Sequence, residues 1–251
     1  MTLGIEPGDV VAVCVADGIA PFLQHLALTS LGAAAAFLNP AMAPDIATAY
    51  ILQNGLEKLV LDSEVLAKTE LSATLSASSV NCELFNCSAP DATKLVSLPS
   101  QWAYDPLDST LVMLSHTSGT TDIPKTVRFE HRQFIIGKSA RIGQFVESAD
   151  ERLLSALPQS HSSAISHIET AVLLGIPIFV LSNPVGEQVR NAMQAFRPTV
   201  VAAFPQTSAW LVEGGIAPNE FPSVRRYFSM GDAVHGSRTR HILSSAPIAL
   251  H

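Results

Sequence analysis

Ser115-His116-Thr117-Ser118-Gly119-Thr120-Thr121-Asp122-Ile123-Pro124-Lys125-Thr126-Val127 lies between an apolar run, Thr110-Leu111-Val112-Met113-Leu114, and a second run, Val127-Arg128-Phe129-Glu130-His131. Hydroxyl side chains and free backbone N–H groups gathered around a glycine can reach anionic oxygens. The glycine lets backbone approach closely, and one lysine adds a mobile positive charge. A polyphosphate is the ligand such a loop fits. The flanks read as strand, loop and strand, followed by a helix over 132–145. Ser/Thr-rich turns without a ligand are the plain alternative. A P-loop NTPase is excluded, because no Gly-Lys-Ser/Thr closes the loop.

Outward from this loop, short apolar runs alternate with helix-length stretches. Strands are expected at 10–15, 34–38, 58–61, 110–116, 152–156, 178–181, 200–204 and 226–229. Helices are expected at 20–31, 45–53, 132–145, 164–174, 187–196, 207–213 and 238–243. Such alternation predicts an α/β fold, with parallel sheets covered by helices on both faces. The Ser-, Ala- and Pro-rich segment 69–106 reads as a surface excursion, and the turn cluster at 182–186 as a softer boundary.

Composition sets outer limits. The chain has 251 residues, 47% hydrophobic and 15% charged, as expected of a well-buried globular protein. A net charge of −7 and the lack of a basic stripe argue against nucleic acid as a partner. The N-terminus lacks the basic and apolar regions of a secretory signal, so a cytoplasmic location is expected. The longest apolar stretches, 26–38 and 171–181, are shorter than the ~20 residues a membrane span needs. Cys14, Cys82 and Cys87 read as free thiols, and their spacing offers no metal site.

The loop resembles the phosphate loop of the adenylate-forming superfamily, which includes acyl-CoA synthetases, luciferases and peptide-synthetase adenylation domains. Its usual form is Thr-Ser-Gly-Thr-Thr-Gly-x-Pro-Lys-Gly. Eight of those ten positions match here or are unspecified, and Asp122 and Thr126 stand where the family has glycine. Further matches occur in the family's order. Gly4 to Val13 resembles the family's opening Gly-x-x-x-Gly-Asp-x-Val-Ala strand, and Leu31 to Pro40 its Gly-Ala…x-Leu-Asn-Pro segment. Pro198 to Pro205 resembles its Pro-Thr strand, and Ser229-Met230-Gly231 the start of its Ser-Gly-Gly turn. Leu157-Pro158-Gln159-Ser160-His161 resembles a Leu-Pro-x-x-His motif that shapes the acid pocket in acyl- and aryl-activating members. Amino-acid-activating members usually carry an aspartate there, so His161 favours an acyl or aryl acid. A helix-capping or core histidine is the alternative for His161. His167 and Glu169 read as structural.

The resemblance implies an incomplete large N-terminal domain of the adenylate-forming fold. The first α/β subdomain, with the phosphate loop, is expected over 1–182, and the start of a second over 183–251. It implies activation of a carboxylic acid by ATP, with Mg2+, as the acyl-adenylate, and transfer to the thiol of coenzyme A or a phosphopantetheine carrier. Thr117, Ser118, Gly119, Thr120, Thr121 and Lys125 would hold the ATP phosphates, with His161 beside the acid. The family's later motifs, for magnesium and adenine, ribose, the hinge and the C-terminal lysine, do not occur in this sequence. A chain nearly inactive alone is therefore expected, self-associating or docking on a complementing polypeptide. A non-catalytic module that binds nucleotide weakly, or binds a protein partner, is the alternative of another class. Asp122 is expected to weaken phosphate binding, since a carboxylate ~4 Å from a phosphate oxygen opposes it by roughly 4 kcal/mol at an effective dielectric near 20. Thr126 adds a smaller cost, about 1–2 kcal/mol, if a positive φ is required there.

Overall fold

A computed structural model describes residues 4–16, 18–78, 81–87, 102–116, 123–145, 150–181, 185–217, 219–231 and 249–250. Its contacts group the chain into two units, residues 1–137 and 138–251.

The first unit is built on runs that are apolar at nearly every position. β1 (Val10–Cys14), β2 (Ala34–Phe37) and β3 (Lys58–Leu61) are almost wholly buried, as strands covered on both faces must be. With β4 (Glu83–Asn86), β5 (Leu111–His116) and β6 (Thr126–Glu130) they form one sheet in the order β4-β3-β1-β2-β5-β6. Five strands are parallel, whereas β6 runs antiparallel to β5. The α/β fold with parallel strands covered by helices is as expected, and β6 is the antiparallel member of this sheet. Residues 117–125 are too few for a parallel crossover, so the chain turns straight back on itself.

Side-chain alternation divides the unit's core between the two faces of the sheet. Ala12, Ala36, Leu59 and Leu114 point to one face, where α2 (Pro44–Gln53), α3 (Ser63–Lys68) and α4 (Leu71–Ala77) supply Tyr50, Ile51, Val65, Leu71 and Leu75. From the other face α1 (Ala20–Ser30) brings buried His25, whose ring lies 6.2 Å from Phe37 and 5.6 Å from Phe134. The segment 69–106, expected to be an irregular excursion, in fact carries α4 and β4. Within it, 88–101 lies outside the described residues.

α5 (His131–Phe145) leads into the second unit. There β7 (Leu153–Ala156), β8 (Ile178–Val180), β9 (Val200–Ala203), β10 (Arg226–Ser229) and β11 (Ala249–Leu250) form an all-parallel sheet in the order β11-β10-β9-β7-β8. α6 (Ser162–Leu174) covers one face with Ala164 and Ala171. α7 (Gly186–Phe196) and α8 (Pro205–Glu213) cover the other with Val189, Met193 and Leu211. β7 pairs with both β8 and β9, so a division at 182/183 cuts through this sheet. The contact division lies instead before it, at 137/138. The outer edge of β10 is paired with β11. The expected helix at 238–243 lies outside the described residues.

At the N-terminal ends of the second sheet's strands sits a buried carboxylate, Glu151, 1% exposed. It accepts hydrogen bonds from Thr199 Oγ1 and from Arg226 Nη1 at 3.3 Å, and it pairs with Arg225 Nη2 at 3.1 Å. This ties the entrances of β7, β9 and β10 together. The three cysteines are free, and burial pushes the Cys14 thiol up to about 12. Among the described residues no helix is long and apolar enough to cross a membrane.

Candidate functional site

In open parallel sheets, loops at the carboxyl ends of strands meet ligands most readily where neighbouring strands send their connections in opposite directions. In the second sheet that place lies between β7 and β9: β7 leads outward to β8 through α6, and β9 leads the other way to β10 through α8. His161 comes after β7 and Phe204 after β9. Their rings meet edge to face with centroids 5.3 Å apart at 87°. Gly231, after β10, has φ +91, and a Cβ there would lie 2.9 Å from the Phe204 ring. His161, Phe204 and Gly231 thus form a close-fitting wall at the switch point.

His161 is also the N-cap of α6, its Nδ1 accepting from the Ser163 N–H at 3.3 Å. The capping role expected as an alternative is therefore present. With Nδ1 acting as acceptor, the neutral ring carries its proton on Nε2. In the preceding turn Gln159 is fully buried, and its Nε2 donates to the Leu157 carbonyl.

Of the expected phosphate-loop residues, Thr117, Ser118, Gly119, Thr120 and Thr121 lie outside the described residues, as does Asp122. Both of the loop's ends are described. It leaves β5 at His116 and returns at Thr126, and these two residues are direct cross-strand partners. The loop runs into a strand, β6. Lys125 is exposed, directly after buried Pro124, with no ion pair among the described residues.

Thr126 is extended strand, not a position of positive φ, so the backbone penalty anticipated for it does not arise. Its Oγ1 donates to Asn54 Oδ1 at 2.7 Å, and Asn54 Nδ2 donates to the Tyr50 carbonyl at 2.9 Å. The Tyr50 ring, wholly buried, meets the His116 ring edge to face at 6.0 Å. Sequence reasoning missed Asn54 and Tyr50, since both are remote from the loop in the chain. In this first sheet the switch point falls between β1 and β3, where Asp62 accepts from the Ala16 N–H at 2.7 Å and closes the gap.

A buried polar cluster joins α5 to α6. Lys138 Nζ pairs with Glu169 Oε2 at 2.5 Å and donates to Ser166 Oγ at 2.8 Å. Arg141 Nη1 donates to His167 Nε2 at 2.6 Å, and His167 Nδ1 donates to the Ser163 carbonyl at 2.7 Å. Burial, reinforced by Arg141, pushes His167 down to about 3 and holds it neutral. Among the described residues no group of three or more His, Cys, Asp or Glu gathers as a metal cage.

Comparison with known proteins now bears on this geometry. The family model described as "AMP-binding enzyme" matches residues 1–248. A 3-aminoavenalumate diazotase of Streptomyces sp. is 31% identical over 246 residues, covering 96% of this chain and 42% of the diazotase. The O-succinylbenzoate coenzyme A synthetase of Bacillus subtilis, solved with AMP, superposes with a TM-score of 0.79 at 19% identity, over 98% of this chain and 50% of the synthetase. The same synthetase with ATP and magnesium ion gives a TM-score of 0.77 at 18% identity, with the same coverage. The chain spans about half the length of the relatives it matches.

Proposed function

The chain belongs to the family of AMP-binding enzymes, and we propose that it serves the ATP-dependent activation of an acyl or aryl carboxylic acid as its acyl-adenylate. Pyrophosphate leaves, and the acyl group then passes to the thiol of coenzyme A or a phosphopantetheine carrier. The observation that carries this reading is the loop pinned between β5 and β6, with exposed Lys125 at its exit. Thr117, Ser118, Gly119, Thr120, Thr121 and Lys125 bind the ATP phosphates, and the positive charge of Lys125 opposes the charge that builds on the leaving pyrophosphate. Magnesium arrives on the phosphates of the nucleotide, its usual way of binding in phosphoryl transfer. His161 forms one wall of the acid pocket against Phe204.

Calorimetric titration with ATP tests the phosphate site directly: Lys125→Ala should weaken binding about tenfold, equivalent to about 1.4 kcal/mol. Equal affinity in that variant would remove Lys125 from the site. ATP–pyrophosphate exchange across fatty, aryl and amino acids tests the chemistry. Exchange with amino acids alone would overturn the role given to His161. ATP binding without exchange for any acid would favour the non-catalytic, nucleotide-binding reading.

A second reading is favoured by the 31% identity to a protein named for diazotisation of 3-aminoavenalumate. Its name points to an amino group as the group acted on. Conversion of the primary amine of an aminoaryl acid to its diazonium, with nitrite supplied as the second nitrogen and two waters released, and with no thioester formed, would select it.

A further inference from the structure

At the loop's exit, the side chain of Thr126 is tied to a distant element. It sits in β6 opposite His116, and its hydroxyl donates to Asn54 Oδ1, 72 residues away, at 2.7 Å. Asn54 caps the C-terminal end of α2, and its own amide is fixed because Nδ2 donates to the Tyr50 carbonyl at 2.9 Å. The acceptor that Thr126 meets is therefore a held one. Beneath them the Tyr50 side chain is fully buried, and burial pushes the pKa of its hydroxyl up. Tyr50 also braces His116, the residue at which the loop begins, so one group of side chains steadies both ends of the loop.

Lys125 lies between two anchored neighbours, buried Pro124 on one side and half-buried Thr126 on the other, and is itself exposed. We infer that Thr126, through Asn54, is a positioning residue for Lys125: it fixes the backbone from which the lysine reaches a bound triphosphate. This inference rests on the proposed function. A glycine at 126 would leave β6 paired but would remove the cross-link to α2. The hydroxyl thus gives this loop an attachment that the glycine form lacks. A fixed lysine loses less conformational entropy on binding phosphate, which is the general gain from preorganisation.

The test compares Thr126→Val, which keeps the shape and the strand preference but loses the hydroxyl, with Thr126→Ser, which retains it. ATP affinity should fall about fivefold in Thr126→Val, the scale of one lost hydrogen bond, and recover in Thr126→Ser. Asn54→Ala should reproduce the loss. In a Lys125→Ala background Thr126→Val should change ATP affinity by less than about twofold, because the lysine it positions is gone. A purely structural role would not show that dependence. A fivefold loss that persists without Lys125, or no loss with Lys125 present, overturns the inference. Hydrogen exchange of the ligand-free proteins supplies an independent arm: the Lys125 and Thr126 amides should exchange faster in Thr126→Val, and unchanged rates refute the tether. If the wild type binds no ATP, or Lys125→Ala binds it equally well, the reading of the loop fails together with the role given to Thr126 toward ATP, while the exchange comparison still decides whether the tether exists.

Discussion

Lowering the pH from 7 to 5 should cost this protein stability through His167, and the amount is set by how that ring is held. His167 is fully buried in α6, donating from Nδ1 to the Ser163 carbonyl and accepting at Nε2 from Arg141, with the Phe228 ring 5.7 Å away. The charged groups that act on it oppose a second positive charge: Arg141 directly, and Lys138 from the same helix as Arg141. Burial is the largest cause, and together they push the imidazole down to about 3, from an ordinary value of 6.5. The unfolded chain therefore binds a proton near pH 6.5 that the folded chain refuses until about pH 3. Between those values the unfolded state holds more protons, so stability is present in full above pH 6.5 and is lost as pH falls. The slope approaches about 1.4 kcal/mol per pH unit, which integrates to about 2 kcal/mol between pH 7 and 5. Urea denaturation of the wild type and of His167→Gln at pH 7, 6 and 5 measures it, since carboxylates and other histidines act equally in both proteins and cancel in the difference. The wild type should lose about 2 kcal/mol more than the variant over that range. Parallel losses would mean that His167 accepts a proton while folded and that Arg141 yields its place.

Two further outcomes rest on single contacts. Glu151→Ala leaves Arg226, whose side chain is 6% exposed, without its carboxylate, and should destabilise by about 3–5 kcal/mol; Arg225→Ala, at a site 41% exposed, should cost about 1 kcal/mol or less, both read from urea midpoints. Gly231→Ala places a Cβ 2.9 Å from the Phe204 ring at φ +91 and should cost about 2 kcal/mol of stability, displacing the ring from His161; the NMR shifts of the His161 ring protons should move with it, and an unchanged spectrum would show that Phe204 yields without disturbing the wall.

How far the sequence reached depended on whether a signal was local. Parallel strands buried on both faces announce themselves as short apolar stretches, Leu59-Val60-Leu61 after Lys58 and Tyr227-Phe228 between Arg226 and Ser229, so 58–61 and 226–229 were legible to the residue, and the other long runs to within one residue at either end. α4 and β4 were not. Leu71-Ser72-Ala73-Thr74-Leu75-Ser76-Ala77 holds a helix through two leucines four residues apart, both buried, although Ser72, Thr74 and Ser76, of modest helix preference, alternate with the leucines and alanines. β4 buries Phe85 alone, as an edge strand with one anchoring side chain. In both cases tertiary burial supplies what propensity does not.

The same distinction separates the parts of the candidate site. Lys125 and His161 were singled out by short motifs, in which residue type and spacing carry the signal. The setting of each was not, because strand order defines that. His161 meets Phe204 only because β9 pairs with β7 while β8 takes the far side. Thr126 looked like a defect when read against a glycine, since a motif records the backbone freedom a position permits and nothing of what lies across from it. With β6 extended and Asn54 Oδ1 held 2.7 Å away, the side chain that departs from the pattern becomes a tether. A departure from a phosphate-loop motif is therefore best judged by which group its side chain meets, and only then by the conformation the motif would have allowed.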